Sequence, residues 1–339
     1  MSPRPATVAR IEAAHRFGAI YGGSLASHLP MALVALDRMG ADDERIRRFA
    51  EAQEAKLEPI PPPRVAIRPG DEDRFLGAAE AFPAWVDYFA ARMAAEGAHA
   101  LLGQWADRFA KAPASGAFHG LIRTAYALES GSERELAHAL AYWAAVFEPL
   151  GEPPAAAGNA GADEILAAIA LDPAHAGNRP QGRNIAERTR NAATIPGFRA
   201  LAGRIDPGQL RVDAIAAALI AAYCASGNFT VLHAVTGCHA WRSLAPFLRS
   251  GREGLAELWQ AVLAAYLGAG SPPVEGWALA ASDSLGWPEI HRRACACDDE
   301  HDVKFAYSCW REWQCYGDDL YRRAASARVC AATRQAPAC

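Results

Sequence analysis

Alanine-rich stretches with apolar residues at positions i, i+3, i+4 and i+7 recur along most of the chain. This period is that of an amphipathic α-helix, and the strict alternation that is typical of half-buried strands is almost absent. The pattern predicts helices over residues 5–20, 27–39, 41–56, 83–110, 117–129, 132–148, 208–226, 229–249, 252–268 and 299–334. We therefore expect an all-α fold.

Proline and glycine interrupt the helical pattern in four segments, which we interpret as loops. These segments are residues 58–70, 151–161, 178–191 and 268–276. None is long enough or repetitive enough to separate independent domains. The pattern predicts one large, irregular multi-helix domain over residues 1–339, with about 1–20 and about 320–339 at its periphery. Ser132 followed by Glu135 predicts a capping box at the start of one helix.

Composition narrows the class of protein. The 339 residues are 51% hydrophobic and 21% charged, which is typical of a globular chain. The 34 basic and 38 acidic residues are scattered and leave a formal net charge of -4, so we expect no nucleic-acid partner. The longest apolar run, residues 214–225, is too short to span a membrane, and the first twenty residues lack the apolar core of a secretion signal. We expect a cytoplasmic protein whose eight cysteines are thiols.

Several nucleotide-binding and hydrolase motifs are absent from the chain. The sequence contains no G-x-G-x-x-G after a strand, no phosphate-binding G-x-x-x-x-G-K-[ST], no G-x-S-x-G and no H-E-x-x-H. A built-in dinucleotide site is therefore not expected. The remaining candidates for chemistry are histidines on apolar helices.

Two of these histidines lie at the start of predicted helices. His28 lies in the first turn of an apolar helix, where a buried histidine hydrogen-bonded to backbone is the simpler interpretation. His119, Arg123 and Tyr126 lie on one stripe of the next candidate helix, and the small Gly120 leaves room beside the imidazole. Three polar groups on one face of an apolar helix indicate a polar cavity.

A third apolar helix carries His233 and His239. Six residues apart, the two imidazoles point about 120° away from each other, so we expect only one to face a site. Gly237 lies on the side of His233 and permits close approach by a ligand or another helix, which favours His233.

His301 and Lys304 lie three residues apart and so share a helix face. Such a lysine usually reaches solvent or forms an ion pair. If it is buried beside a metal, its pKa falls, and the neutral amine can take up carbon dioxide as a carbamate that ligates through oxygen.

Two other metal sites are compatible with the sequence. Di-iron carboxylate bundles use Glu-x-x-His motifs, and this spacing occurs three times, at Glu12/His15, Glu96/His99 and Glu135/His138. A nitrogen and sulfur site is the other alternative, with the ligands His291, Cys295, Cys297 and His301. Its spacing lacks the two-knuckle form of structural zinc sites. A helical scaffold or ligand-binding protein without chemistry remains a third possibility.

Five segments together resemble the questin oxidase-like family, whose best-known members are fungal enzymes that oxidatively open anthraquinone rings. The resemblance spans most of the chain and rests on the order and relative spacing of these segments. They are YGGSLASHLPMALVALDRMGA at 21–41, AFHGLIRTAYALES at 117–130, ELAHALAYWA at 135–144, NFTVLHAVTGCHAWRSL at 228–244 and DEHDVKFAYSC at 299–309. The first block departs from the fungal pattern, which has more histidine where this chain has Met31 and Ala32.

The resemblance implies an all-α oxygenase with a metal site between helices and one Fe(II) per chain. Its ligands would be His28, His119, His233, His301 and a carboxylated Lys304, with His239 and His138 as reserves.

The resemblance also implies a small aromatic, polyketide-like substrate that reacts with dioxygen, with a ring cleavage of the Baeyer–Villiger type as one outcome. Electrons would come from NADPH or an external reductant. Arg123 and Tyr126 are the candidate catalytic residues, which would orient a phenolic or quinone oxygen. The sequence leaves the oligomeric state open.

Overall fold

A computed structural model describes residues 3–249, 254–276 and 284–335. Within these ranges the regular secondary structure is almost entirely helical, which confirms the all-α prediction. The α-helices are α1 (Pro5–Ala13), α2 (Leu29–Arg38), α3 (Asp43–Glu54), α4 (Phe82–Glu96), α5 (Ala98–Phe109), α6 (His119–Ser130), α7 (Glu133–Ala145), α8 (Ala162–Leu171), α9 (Ile185–Ala192), α10 (Phe198–Ala202), α11 (Val212–Ser226), α12 (Phe229–Leu244), α13 (Leu255–Gly268), α14 (Trp287–Ala296), α15 (Glu300–Tyr316) and α16 (Asp319–Gln335).

The helix predicted at the N-terminus is shorter than expected. After α1, a single 3-10 turn leads into a two-stranded antiparallel hairpin, β1 (Ile20–Tyr21) and β2 (Leu25–Ala26). Gly22 and Gly23 at the tip of this hairpin have positive φ angles of 55° and 80°, which glycine adopts without steric penalty. The predicted helix over residues 5–20 therefore ends early, and the hairpin begins at Ile20, where that helix was expected to end.

Two long helices of the prediction are each two helices in the structure. Residues 83–110 divide at Gly97, whose φ is 83°, and residues 299–334 divide at Gly317, whose φ is 69°. Glycine in this left-handed conformation ends a helix, and here a second helix begins within two residues. The apolar pattern continues across both glycines, so it did not reveal the breaks.

Four helices, α8, α9, α10 and α14, were missed by the sequence pattern because they are short. Helix α9 is the most informative, since it lies in a segment predicted to be a loop. The Asn184 side chain caps it by accepting a hydrogen bond from the Glu187 backbone N–H. The predicted helix start at residues 252 and 253 lies outside the described residues.

The centre of the fold is a ring of four helices. Helix α2 packs against α6, α6 against α12, α12 against α15, and α15 against α2. Glycines permit close packing on two sides of α6: a Cβ at Gly237 of α12 would lie 2.7 Å from the ring of Phe118, and one at Gly120 of α6 would lie 2.6 Å from the ring of Trp143 on α7. Both glycines therefore serve helix packing, and Gly120 does not leave the space beside His119 that the sequence suggested.

The other helices surround this ring. Helix α7 packs between α6 and α4, α16 packs along α15, and α13 lies against α9 and α12. Ser132 caps α7 by accepting from the Glu135 N–H at 3.2 Å, but the Glu135 side chain binds elsewhere, so the predicted capping box is only half formed. The seven described cysteines form no disulfide. Among the described helices, none combines the length and apolar character needed to cross a membrane.

Candidate metal and substrate site

A cavity of about 340 Å³ opens at one end of the four-helix ring. Its wall includes four histidines, which we call the cavity histidines: His28, His119, His233 and His301. The other lining residues are mostly aromatic and aliphatic: Ile20, Tyr21, Ser24, Leu25, Ala26, Gly116, Ala117, Tyr142, Val146, Asn184, Ile185, Ala186, Arg188, Phe229 and Glu300. Within the described residues, the one group of three ligating side chains close enough to share an ion lies here, whereas the wider groove between α3 and α14 holds none.

Each helix of the ring supplies one cavity histidine near its N-terminus. His28 is the N-cap residue of α2, His119 the first residue of α6, His301 the second residue of α15, and His233 lies in the second turn of α12. The N-terminal end of a helix carries a partial positive charge. Four such ends around one cavity disfavour protonated imidazoles and favour an anionic group.

The four imidazoles form a closed set of neighbours. The ring centroids of His28 and His119 lie 4.5 Å apart, those of His119 and His233 5.0 Å, those of His233 and His301 5.4 Å, and those of His301 and His28 4.6 Å. The Nε2 atoms of His28 and His119 approach to 2.6 Å. The structure therefore brings together the four histidines that the sequence singled out.

Hydrogen bonds fix the tautomers of three of these imidazoles. The Nδ1 of His119 donates to the Gly116 carbonyl at 2.5 Å, and the Nδ1 of His233 donates to the Phe229 carbonyl at 2.8 Å. The Nδ1 of His301 donates to the Asp299 carboxylate at 2.9 Å. Because these oxygens can only accept, each Nδ1 carries the proton and each Nε2 keeps its lone pair for a ligand.

A strained turn sets the position of His119. Ala117 and Phe118, which immediately precede it, have φ angles of 59° and 68°. This conformation costs residues with a Cβ about 1–2 kcal/mol each. The close packing of Phe118 against Gly237 holds the turn, and the preceding Gly116 offers its carbonyl to the imidazole. Such strain is found where a functional group must be held in place.

Burial keeps three of the cavity histidines, His28, His119 and His233, uncharged. Removal from water lowers the pKa of His28 and His119 well below the ordinary value, and the neighbouring basic groups lower it further. Burial likewise lowers the pKa of His233 to about 3. Neutral imidazoles are the form that binds metal ions.

Lys304 lies one turn along α15 from His301 and is buried, with 5% of its surface exposed. Burial lowers its pKa to about 7, although the charges of Glu300 and Asp299 oppose that shift. Its side chain forms no ion pair with any carboxylate of the described chain. A large fraction of this lysine is therefore a neutral amine near pH 7, which is the form that reacts with carbon dioxide.

Glu300 is a candidate ligand that the sequence analysis missed. Its Oε1 lies 3.6 Å from Nδ1 of His28, and the ligand atoms of Glu300, His28 and His301 lie within 4.8 Å of one another. The signal in the sequence was its place beside His301 at the start of α15. Tyr21 lies nearby. Burial raises the pKa of Tyr21, and the charge of Glu300 raises it further.

Arg123 and Tyr126 do not line the cavity. Arg123 donates two hydrogen bonds to Glu135, at 2.7 and 3.1 Å, and Tyr126 donates to the Lys304 carbonyl at 3.3 Å. Both share a stripe with His119, but they lie about 6 and about 10 Å further along the axis of α6. Residues on one stripe differ in their position along the helix axis, and only the N-terminal turn of α6 reaches the cavity.

The reserve histidines also lie elsewhere. His239 bonds to the Glu312 carboxylate at 2.8 Å, on the opposite side of α12 from the cavity. His138 stacks on His15, with ring centroids 4.0 Å apart. Neither imidazole lines the cavity.

Two of the three Glu-x-x-His motifs meet, at a group that we call the Glu135 network: Glu135, Arg123, His15 and His138. The Nε2 of His15 lies 2.8 Å from Glu135, so both carboxylate oxygens have partners. The Arg123 guanidinium supplies the positive charge that a metal would bring. This arrangement gives no support to the di-iron alternative.

The alternative site of nitrogen and sulfur ligands is not assembled in the described structure. The Cys295 thiol points to the Leu36 carbonyl and the Cys297 thiol to the Arg293 carbonyl, while His301 faces the cavity. Burial raises the pKa of Cys295 to about 11 and that of Cys297 to about 12, which disfavours the thiolate form that binds metals.

Comparison with protein families supports the resemblance seen in the sequence. The model of the questin oxidase-like family matches residues 25–309, a range that contains all four cavity histidines, Glu300 and Lys304. The search of curated proteins gives no significant match. Membership in this family indicates an oxidoreductase that acts on an anthraquinone-type small molecule. The chain belongs to the questin oxidase-like family.

Proposed function

We propose that this protein is an oxygenase that uses one non-heme iron, held by the cavity histidines, to oxidise a small aromatic substrate. The observation that carries the proposal is the convergence of four imidazoles from four helices, and burial keeps three of these imidazoles neutral. In three of the four the Nδ1 proton is bound by an oxygen, which leaves Nε2 free to ligate. Divalent first-row metals favour such nitrogen donors, and when bound, iron would supply the electron transfer that makes dioxygen reactive.

The positive charge of the ion requires anionic partners, because the helix ends around the cavity are themselves positive. Glu300 lies beside His28 and is one candidate. Lys304 is the other, since its neutral amine can be converted to a carbamate by carbon dioxide. We propose that the carboxylated Lys304 completes the metal site.

The cavity suits a flat, largely apolar ligand. Its volume of about 340 Å³ is at the lower end of the range for small-molecule sites. The ring of Phe229 lies 4.8 Å from His233 and 4.7 Å from His301, so an aromatic wall adjoins the imidazoles. Tyr21 and Tyr142 add hydroxyl groups to the lining. A substrate ring between these side chains would lie beside the proposed metal.

Insertion of one oxygen atom of dioxygen into the ring, with the other leaving as water, requires two electrons. We propose that NADPH or another external reductant supplies them. The cavity's own contribution is to bind the ring and exclude bulk water from it, which the buried imidazoles and apolar lining achieve together.

Elemental analysis of protein prepared anaerobically with Fe(II) and bicarbonate tests the proposal. We expect about one iron per chain in the wild type, and loss of most of it in His233→Gln and Lys304→Ala. His138→Gln is the matched control, because it changes a buried histidine outside the cavity and should keep its iron.

Other results would favour other functions. Two irons that depend on His138 would support the di-iron alternative. Full iron in Lys304→Ala would remove the carbamate from the proposal. A wild type that binds no iron after reconstitution would leave a helical ligand-binding protein.

A further inference from the structure

Part of the cavity wall comes from α9, one of the helices that the sequence pattern missed. Its first turn brings Asn184, Ile185, Ala186 and Arg188 to the lining. The Arg188 side chain is half-buried, and its Nη1 donates to the Gly182 carbonyl at 3.3 Å. Its Nε is fully buried and has no hydrogen-bond partner.

Arg188 forms no ion pair with a carboxylate of the described chain, in contrast to the two arginines around it. The nearby Glu187 turns away and binds Arg183 at 2.8 Å, and Arg190 pairs with Glu148 at 2.7 Å. Burial and then the neighbouring Arg179 lower the pKa of Arg188, and no carboxylate opposes these effects. The Arg188 guanidinium therefore lacks a counter-charge from the described residues.

A guanidinium stays protonated in proteins, so it cannot relieve this situation by losing its proton. Removing it from water without an anion costs free energy, and an unpartnered buried N–H adds to that cost. A ligand that brings a negatively charged oxygen to the guanidinium would offset the cost of the missing anion. The N-terminal end of α9, on the same wall, adds a partial charge of the same sign.

We propose that Arg188 binds an acidic oxygen of the aromatic substrate, either a carboxylate or an ionised phenol. The substrate would then lie with its acidic end against α9 and the remainder of its ring toward the cavity histidines. Arg188 would act as a specificity-determining residue that sets which ring faces the metal ligands. This inference rests on the proposed aromatic substrate, but it does not require iron.

Calorimetric titration with two matched pairs of probes tests the inference. One pair is anthraquinone-2-carboxylate and anthraquinone-2-carboxamide, and the other is 2-hydroxyanthraquinone and 2-methoxyanthraquinone at a pH that ionises the phenol. We expect the wild type to bind the acidic member of at least one pair about tenfold more tightly, since a charge-assisted hydrogen bond is lost in the neutral member. The pair that shows the preference identifies the acidic group.

Variants assign that preference to Arg188. In Arg188→Gln both members of the pair should bind equally, with the affinity for the neutral probe changed less than about threefold. Arg188→Lys should keep part of the preference, because it keeps the charge but not the planar fork. Arg190→Gln is the control on the same helix and should behave as the wild type.

Equal binding of acidic and neutral probes by the wild type would overturn the inference, as would a preference that survives in Arg188→Gln. If Arg188→Gln binds no probe, Arg188→Lys decides between the outcomes: a retained preference supports the inference, and equal affinities overturn it. Failure of the iron proposal is separate, because binding is measured both with and without added Fe(II). A preference without iron loading would support acid recognition in a protein that is not an iron enzyme.

Discussion

Two groups of histidines lie next to α6, one around His119 and one around Arg123, and they differ in how their charges are balanced. In the Glu135 network the protein provides both signs, because Glu135 accepts from Arg123 and pairs with His15. Among the cavity histidines, the Nε2 atoms of His28 and His119 face each other and basic neighbours disfavour protonation. In the first group the protein's own carboxylate and guanidinium balance each other, whereas the second lines a cavity that a ligand can enter.

A third buried histidine follows the pattern of the Glu135 network. His239 lies against Glu312, which also accepts from Arg242 at 2.6 Å. The comparison shows that burial of a histidine does not by itself indicate a site. The two kinds of histidine differ in their surroundings: His15 and His239 bind a carboxylate that also accepts from an arginine, whereas His28, His119, His233 and His301 line a cavity.

The strongest test of this comparison removes the centre of the Glu135 network. In Glu135→Ala the buried Arg123 loses its counter-charge, so we expect the free energy of unfolding to fall by about 3–5 kcal/mol. Urea denaturation measures this change. Glu148→Ala removes the solvent-exposed partner of Arg190 and should cost less than about 1 kcal/mol. Similar losses in the two variants would mean that the network is not a structural ion pair.

The pH dependence of stability should reveal the neutral cavity histidines. The pKa of His233 is about 3 in the folded protein and about 6.5 in the unfolded chain. Between these pH values the unfolded chain binds a proton at His233 and the folded protein does not. Stability of the metal-free protein should fall as the pH falls from about 6.5 toward about 3, by about 1.4 kcal/mol per pH unit for this residue.

Replacement of that residue sharpens the pH test. His233→Gln should reduce the slope of the free energy of unfolding against pH by about 1.4 kcal/mol per unit between pH 6 and pH 4, as measured by denaturation at several pH values. Glu135→Ala should leave the slope in this range closer to the wild type, because the pKa of Glu135 is held at about 2. An unchanged slope in His233→Gln would show that His233 is not kept neutral by the fold.

The smallest effect concerns the carboxylate behind His301. Asp299→Asn keeps an oxygen that can cap α15 but removes the charge that receives the His301 Nδ1–H, so metal affinity should fall about tenfold with little loss of stability. Competition with a chelator measures the affinity. Asp298→Asn, at the exposed neighbouring position, is the control and should match the wild type. Equal affinities in the two variants would separate Asp299 from the metal site.

The local sequence was sufficient for the fold class, the family and the choice of histidines. Helical periodicity depends on residues three and four apart, so it survives without tertiary information, and ten predicted segments correspond to helices in the structure. The periodicity did not reveal the helix breaks at Gly97 and Gly317, where one glycine with a positive φ ends a helix without interrupting the apolar pattern.

The roles of the individual polar residues were decided by tertiary structure. Arg123 shares a stripe with His119, but its depth along α6 places it beside Glu135. Arg188 came from a segment predicted to be a loop, and it reaches the cavity only because α9 forms and packs on α13. Helical periodicity and motif spacing describe one helix at a time. They therefore do not predict the distance between residues on different helices.

The sequence by itself determined that this chain is helical, that it belongs to the questin oxidase-like family and that its apolar helices carry histidines. Only the packing of α15 against α2, which closes the four-helix ring, decided that the four cavity histidines meet. His138 and His239 receive imidazole or carboxylate partners elsewhere. The physical reason is that a histidine's chemistry depends on its neighbours' charges and lone pairs, and packing between distant helices chooses those neighbours.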